Sequence, residues 1–241
     1  MAGAPIFTLE QLTGRTGGHL AELSDPPARL HRDVVSAFLT LRAAAAAEGI
    51  ELVAFSSFRD FDRQLGIWNA KYRGERPLFA RDGTPLEASS LSPAQRVEAI
   101  LWWSALPGAS RHHWGTDFDV VDAAAIPPGY KLRVVPEEYL RGGPFERLTR
   151  WLNRHMHEFG FFRPFATDRG GVSPEPWHLS HARVATAAAA QFSVEGLRGV
   201  LETAAIEGRD EVLASLGQSY STYVVNVDPP PEVALLSPRL S

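Results

Sequence analysis

Two histidines and three carboxylates fall within the thirteen residues from Ser110 to Asp122, Ser-Arg-His-His-Trp-Gly-Thr-Asp-Phe-Asp-Val-Val-Asp. Imidazole nitrogen and carboxylate oxygen are both zinc ligands, and a catalytic zinc site takes three protein ligands and leaves a fourth position for water. His112 and Asp119 can supply two of the three. They are seven residues apart, so in an unbroken strand they would face opposite ways. Gly115 lies between them, and a glycine inside a strand pattern marks a bulge or tight bend. A bend there lets the two side chains converge. The third ligand has to come from elsewhere, and the Pro-rich, non-helical run Pro174-Glu175-Pro176-Trp177-His178 offers it. If His178 completes the triad, Glu175 is close enough to hydrogen-bond the water and take its proton. Trp177 would wall the pocket with a flat apolar face suited to a small side chain.

The pattern Ser110-x-His112-x-x-Gly115-x-x-x-Asp119, followed further on by Glu175-x-x-His178, resembles the VanY-type D-alanyl-D-alanine carboxypeptidases. They belong to a wider group of zinc peptidases that includes lysostaphin-like enzymes and the hedgehog signalling domain. Upstream, Ser56-Ser57-Phe58-Arg59 with Gln64 resembles the family's Ser-Gly-Tyr-Arg segment, so the resemblance runs over residues 50–182. It implies zinc held by His112, Asp119 and His178, with Glu175 as the catalytic base. It also implies that Arg59, Gln64 and Ser110 handle the substrate carboxylate and the developing oxyanion. The fold it implies is α+β, a small antiparallel sheet carrying the zinc site and flanked by helices. The substrate class it implies is a peptidoglycan stem peptide ending in D-alanine, cut by a D,D- or L,D-carboxypeptidase. An endopeptidase of the same fold would share every catalytic residue. One departure stands out: Asp117 occupies a position where many members carry alanine, which changes the polarity of the wall beside the metal.

The elements that must position these residues are partly readable. Residues 27–47 carry Leu30, Val34, Val35, Phe38 and Leu41 at three- and four-residue steps before an alanine run, which predicts a helix stopped by Gly49. Residues 50–55 read as a strand leading to Arg59, with Gln64 on the first turns of the next helix. Residues 73–93 are polar and rich in Gly, Pro and Ser, a surface loop. Residues 97–106, with Trp102 and Trp103, read as a partly buried helix, and residues 130–135 as a short extended piece. The period of Phe145, Leu148, Leu152 and Met156 predicts a helix over 144–159 capped by Gly160. A strand is expected over 161–165. His155 and His157 fall on different faces of their helix and fail as a metal pair. His113 and His181 read as structural. Asp117, on the face of Asp119, either orients a ligand histidine or is a paired acid, and Asp122 caps or pairs near the strand end.

After residue 185 the sequence turns Ala-rich and helical, with helices at 184–192, 194–206 and 210–216. The expected organisation is a peptidase domain over 1–185, its N-terminal helical segment 1–49 packed on a core of 50–185, then a helical extension over 186–227 and a Pro-rich, extended and mobile tail over 228–241.

A chain of 241 residues, 44% hydrophobic and 22% charged, is long enough for a sizeable core and ordinary in composition. Its net charge of −4 is against general nucleic-acid binding, which wants a basic stripe. Zero cysteines exclude disulfides and thiolate metal sites. The N-terminus lacks the basic start and apolar core of a signal peptide and no membrane-length apolar run occurs, so a cytoplasmic protein without a membrane partner is expected, with a periplasmic one as the alternative. Two other classes use similar donors. Non-haem iron oxygenases also hold their metal with two histidines and a carboxylate, but place His and Asp two apart on a double-stranded β fold. A zinc-holding binding module without catalysis is the other, and the presence of Glu175 and Arg59 speaks against it.

Overall fold

The computed structural model describes residues 5–236. Thr8 caps a single turn, α1 (Leu9–Leu12), through a reciprocal hydrogen-bond pair with Gln11. A hairpin follows, β1 (Leu20–Ser24) paired antiparallel with β2 (Pro27–His31). This corrects the expected helix, because α2 spans only Val35–Ala47. Ala28 and Leu30 are the inward residues of β2, a period of two. Leu30 and Val34 are both in the core and lie four apart across a strand–helix junction, which imitates helical spacing.

Next come β3 (Leu52–Ser56) and α3 (Phe61–Tyr72). Asp60 caps α3, accepting the Arg63 N–H at 2.7 Å, and Gln64 sits on the first turn as expected. The segment expected as a plain loop contains a small hairpin, β4 (Leu78–Phe79) with β5 (Pro85–Leu86). Then α4 (Pro93–Leu101) opens on a Ser92/Gln95 capping box with Pro93 at its start. The remaining elements are β6 (Asp117–Asp122), α5 (Pro136–Tyr139), α6 (Glu146–His155), β7 (Phe161–Phe162), β8 (His178–His181), α7 (Ala182–Gln191), α8 (Val194–Thr203), α9 (Arg209–Ala214), α10 (Leu216–Ser219) and α11 (Glu232–Leu236). The chain over 161–165 pairs only at Phe161 and Phe162, since Pro164 has no N–H to give a ladder. Residues 130–135 form no strand. Val134 takes a φ of 56° there, and the Glu138 carboxylate holds the turn by accepting the N–H groups of Arg133, Val134 and Val135.

The main sheet is antiparallel, in the order β3-β6-β8-β7. Its central strand β6 is buried at all six residues. Successive strand residues face opposite sides, so Phe118 and Val120 share one face and Asp117 and Asp119 the other. On the first face the Phe118 ring meets Phe38 of α2 edge-on at 5.1 Å and Phe161 of β7 at 5.4 Å. Truncating so buried a phenylalanine costs about 3–5 kcal/mol. On the second face two buried carboxylates need partners, and that is where the chemistry collects.

The C-terminal helices continue this core: Val200, Leu201, Val212 and Leu216 belong to the same buried cluster as Phe38 and Phe118. Trp68 of α3 donates through Nε1 to the Glu207 carbonyl at 3.1 Å, and the Asn69 amide bonds the backbone of Ala205 and Glu207. Where an extended tail was expected from residue 228, the described part includes the helical turn α11. The Asp228 carboxylate accepts the N–H groups of Ala166 and Thr167 and the Thr167 hydroxyl at 2.8–2.9 Å, and α11 buries Ala234 beside Phe162 and Ala182. Residues 1–4 and residues 237–241 of the tail lie outside the described residues. Among the described residues no helix is long and apolar enough to cross a membrane.

Candidate metal centre and active-site cleft

The bend expected at Gly115 takes a specific form. Arg111–Trp114 is a 3-10 turn, and Gly115 closes it in the left-handed conformation, φ 68°. A Cβ at Gly115 would meet the His31 backbone nitrogen at 2.8 Å as well as the Leu20 side chain, so the position admits only glycine without a shift of the β1–β2 hairpin. The turn folds His112 back toward the strand that follows it. Strand register does the rest: Asp119 lies opposite His178 and Asp117 opposite Ser180 in the β6–β8 ladder. One donor atom from each of His112, Asp119 and His178 lies within 4.8 Å of the others, and all three residues are buried.

Hydrogen bonds on the far side of each ring fix which nitrogen faces inward. His112 Nδ1 is 3.0 Å from the Ser57 carbonyl, which can only accept, so the proton sits on Nδ1 and the Nε2 lone pair faces Asp119 Oδ2 at 3.5 Å. His178 Nε2 is 3.1 Å from Asp117 Oδ1, which leaves Nδ1 facing Asp119 Oδ1 at 3.2 Å and Glu175 Oε2 at 3.4 Å. Close as they are, the buried atoms His178 Nδ1 and Asp119 Oδ1 make no hydrogen bond. Lone pairs converging without a donor among them are what a cation would satisfy, and an all-nitrogen-and-oxygen donor set suits zinc in a chain without cysteine. The residues fit the group.

The electrostatics point the same way. Burial disfavours the charged form of Asp119, but His112 and then His178 outweigh it and hold the carboxyl far below its usual range. Burial also opposes charge on His178, yet Asp117, Asp119 and Glu175 together push its pKa well up. Three carboxylates gathered around one imidazole make a centre that attracts positive charge.

Behind His178, Asp117 is fully buried and accepts from Arg111 Nε at 2.7 Å and from the Thr116 hydroxyl. Burial raises its pKa, but Arg111, His178 and Thr116 together outweigh it and leave it at about 2. Arg111 also donates to Ser180 Oγ at 2.8 Å and stacks on the Trp114 ring. Asp117 is therefore both of the things its sequence position allowed, a paired acid and the acceptor that orients His178. The reading of residue types alone missed Arg111; the signal was a second charged residue beside His112 in a chain that also carries the unusual Asp117.

The centre opens into a cleft of about 480 Å³. Its wall includes Arg59, Ser110, Glu175 and Trp177 together with the three candidate ligands. Glu175 sits at the mouth, its side chain 16% exposed. Arg59 follows β3, and its guanidinium donates to Gln64 Oε1 at 2.8 Å and to Ser56 Oγ at 3.2 Å, while its buried Nε has no partner. Gln64 does not line the cleft. It is fully buried behind Arg59, and its amide nitrogen donates to the Ala105 carbonyl at 2.7 Å. Trp177 packs its ring on Tyr139, and Trp103, expected only as packing, also borders the cleft. His113 bridges the Arg59 carbonyl and the Gly108 N–H, and His181 caps α7 through Val184. Asp122 receives the Glu51 N–H at 2.9 Å. His155 lies on Trp151 near Glu48 and Glu158, far in function from the cleft.

A sheet-borne set of two imidazoles and one carboxylate, with a free carboxylate at its edge and a guanidinium across the cleft, defines a candidate hydrolytic metal centre. The chain belongs to the VanY D-alanyl-D-alanine carboxypeptidase family, whose family model matches residues 27–184. An uncharacterized protein of Haemophilus influenzae is 38% identical over 122 residues, 50% of this chain and 93% of that protein. A D-alanyl-D-alanine carboxypeptidase of Enterococcus faecalis is 26% identical over 147 residues, 60% of this chain and 45% of that one. Among solved structures, VanYB in complex with D-alanine-D-alanine superposes with a TM-score of 0.50 at 25% identity, covering 70% of this chain and 79% of that one. The α+β fold expected from the motifs is the fold found, and it is not the double-stranded β fold of the oxygenase alternative.

Proposed function

We propose that this protein is a zinc-dependent carboxypeptidase that releases a C-terminal D-alanine from peptidoglycan stem peptides. The observation that carries the reading is the approach of Glu175 Oε2 to within 3.4 Å of the inward nitrogen of His178, beside the converging donor atoms of His112 and Asp119. Family membership supports the reaction class, and the relative solved with D-alanine-D-alanine supports the substrate class.

His112 Nε2, His178 Nδ1 and a carboxylate oxygen of Asp119 would hold the ion. A zinc ion bound there supplies Lewis acidity to the scissile carbonyl and to the attacking water near neutral pH. Glu175 takes the proton of that water and later delivers it to the leaving amine nitrogen, so one carboxylate serves both half-reactions. Arg59 places a desolvated positive charge across the cleft for the carbonyl oxygen as its charge grows. Asp117 and the Ser57 carbonyl keep both imidazoles in the tautomers that point a lone pair inward. Trp177 gives the pocket a flat apolar wall for a methyl group.

The test is incubation of the purified protein with synthetic tripeptide, tetrapeptide and pentapeptide stems, with products read by mass, with and without a chelator. D-alanine release from the tetrapeptide or pentapeptide that stops on chelation and returns with zinc is the expected result. No release from any stem under zinc-replete conditions would overturn the reading.

A further inference from the structure

The cleft carries more positive charge than its own acids can pair. Arg59, Arg63, Lys71, Arg76, Arg111 and Arg133 line it against only Asp119 and Glu175. Arg111 is neutralised from behind by Asp117 at 2.7 Å, and Arg133 reaches Glu138 at 3.9 Å. Among the described residues, no carboxylate comes within ion-pair distance of Arg59, Arg63, Lys71 or Arg76. These four instead repel one another. Arg63 and Arg76 disfavour the charge on Arg59, and Arg76 and Arg59 disfavour it on Lys71, with Glu175 giving partial relief to both.

Their placement is built, not incidental. Arg63, Ile67 and Lys71 follow one another at four-residue steps on α3 and so share a helix face, the one that lines the cleft, while Trp68 and Asn69 anchor the helix to the C-terminal segment. Arg76 comes just beyond the end of α3. Lys71 is partly buried, and its ammonium donates to Ser104 Oγ at 2.6 Å. An ammonium carries three donors, so two remain. Burial, then Arg76, draws its pKa down to about 8. A desolvated ammonium whose one partner is a neutral hydroxyl is costly unless an anion completes it.

We infer that Lys71, with Arg63 and Arg76, forms an anion subsite of the cleft that receives a carboxylate of the peptide substrate. The inference rests on the peptidase reading and extends it from the reacting atoms to substrate selection. The carboxylate is either the one at the chain terminus or one on the side chain ahead of the scissile bond. Both present the same two oxygens to the same donors.

Four peptides ending in D-alanine separate these sources: one with both carboxylates free, one amidated at the C-terminus, one amidated at the acidic side chain, and one amidated at both. KM and kcat are measured on metal-loaded wild type, Lys71→Met, Lys71→Arg, Arg76→Gln and, as a control on an exposed face of α8, Arg198→Gln. Methionine keeps the packing of the lysine stem and removes the charge. Lys71→Met should raise KM at least tenfold for the fully acidic peptide, Arg76→Gln should do so less, Lys71→Arg should restore most of the loss, and Arg198→Gln should match wild type. The gap between wild type and Lys71→Met should vanish for the peptide lacking the recognised carboxylate, which identifies that carboxylate. An equal KM for wild type and Lys71→Met on all four peptides overturns the subsite, as does a uniform fall in kcat with KM unmoved. Should wild type hydrolyse none of them, the peptidase reading fails separately, and calorimetric titration of the same peptides decides the subsite. Tighter binding of the acidic peptide to wild type than to Lys71→Met keeps it; equal binding removes it.

Discussion

Asp117 Oδ1 stands 3.1 Å from His178 Nε2, on the opposite side of the imidazole from the nitrogen that faces Asp119. Its other contacts, Arg111 and Thr116, complete a buried network in which one carboxylate fixes a tautomer and neutralises a guanidinium. The chain thus sets a buried charge pair directly behind its candidate metal ligand.

Removing that acceptor should weaken metal binding without touching a ligand. Asp117→Asn should lower apparent zinc affinity about 10–100-fold, the usual cost of losing such an outer partner, read by competition with a chromogenic chelator. It should also lower the melting temperature, since an uncompensated buried charge costs about 3–5 kcal/mol. The double variant Arg111→Met/Asp117→Ala separates the two effects: the melting temperature should recover while the affinity stays low. Unchanged zinc affinity in both variants would remove the orienting role.

Ligand and base should part company when mutated. His112→Ala should lose both bound zinc and the stabilisation that a ligand of the folded state confers, visible as a lower melting temperature in zinc-containing buffer. Glu175→Gln should keep zinc content and melting temperature and lose about 10²–10⁴ in turnover. If the glutamine variant turns over as fast as wild type, another group moves the proton.

Gln64 lies behind Arg59 and should act through it. Arg59→Met should cost about 10²–10³ in kcat, the range for one preorganised donor, and Gln64→Leu a smaller part of that. Combining the two should cost no more than Arg59→Met alone, because contacting groups in one network are not additive. Additive losses would instead place Gln64 in direct, independent contact with the substrate.

Acid should weaken the fold through buried histidines outside the candidate metal centre. His19 and His181 are pushed down from 6.5 to about 4, each chiefly by burial, and His31 is lowered as well. The unfolded chain takes up protons on these rings near pH 6.5 while the folded one resists until about 4, so stability is full above 6.5 and drains away as pH falls toward 4. Thermal melts at pH 7.5, 6 and 5 should show the decline. His19 makes no hydrogen bond through either ring nitrogen and sits among Phe7, His31 and Phe58, so His19→Phe should hold its melting temperature at pH 7.5 and lose less of it at pH 5. An equal loss in the two proteins would show that the His19 ring takes up its proton at the same pH in the folded and unfolded chain.

Much of the centre was readable because its chemistry is written in residue types. His112, Asp119, His178 and Glu175 announce themselves, and Gly115 announces the bend. What residue types do not show is depth. Gln64 and Arg59 are equally polar on paper, yet one is enclosed and the other faces the cleft, because the helix that carries Gln64 turns that residue inward. Asp117 could be read as an orienting acceptor or a paired acid, but its partner Arg111 could not be read until the folded chain set Asp117 and Ser180 together around its guanidinium. The N-terminal hairpin was misread as helix because its inward residues fall into step with those of α2 across the junction. The contacts of Asp228 were hidden for another reason: its partners are residues 166 and 167, and a contact across so long a stretch of sequence leaves no local trace.

The family match ends at residue 184, and every group proposed to touch the reaction lies within it. Yet the last fifty or so residues clamp both jaws of the cleft, Glu207 through Trp68 on the helix bearing Lys71, and Asp228 through Thr167 on the loop that leads to Glu175. A fragment trimmed to the shared portion would keep all its reagents and lose the vice that aligns them.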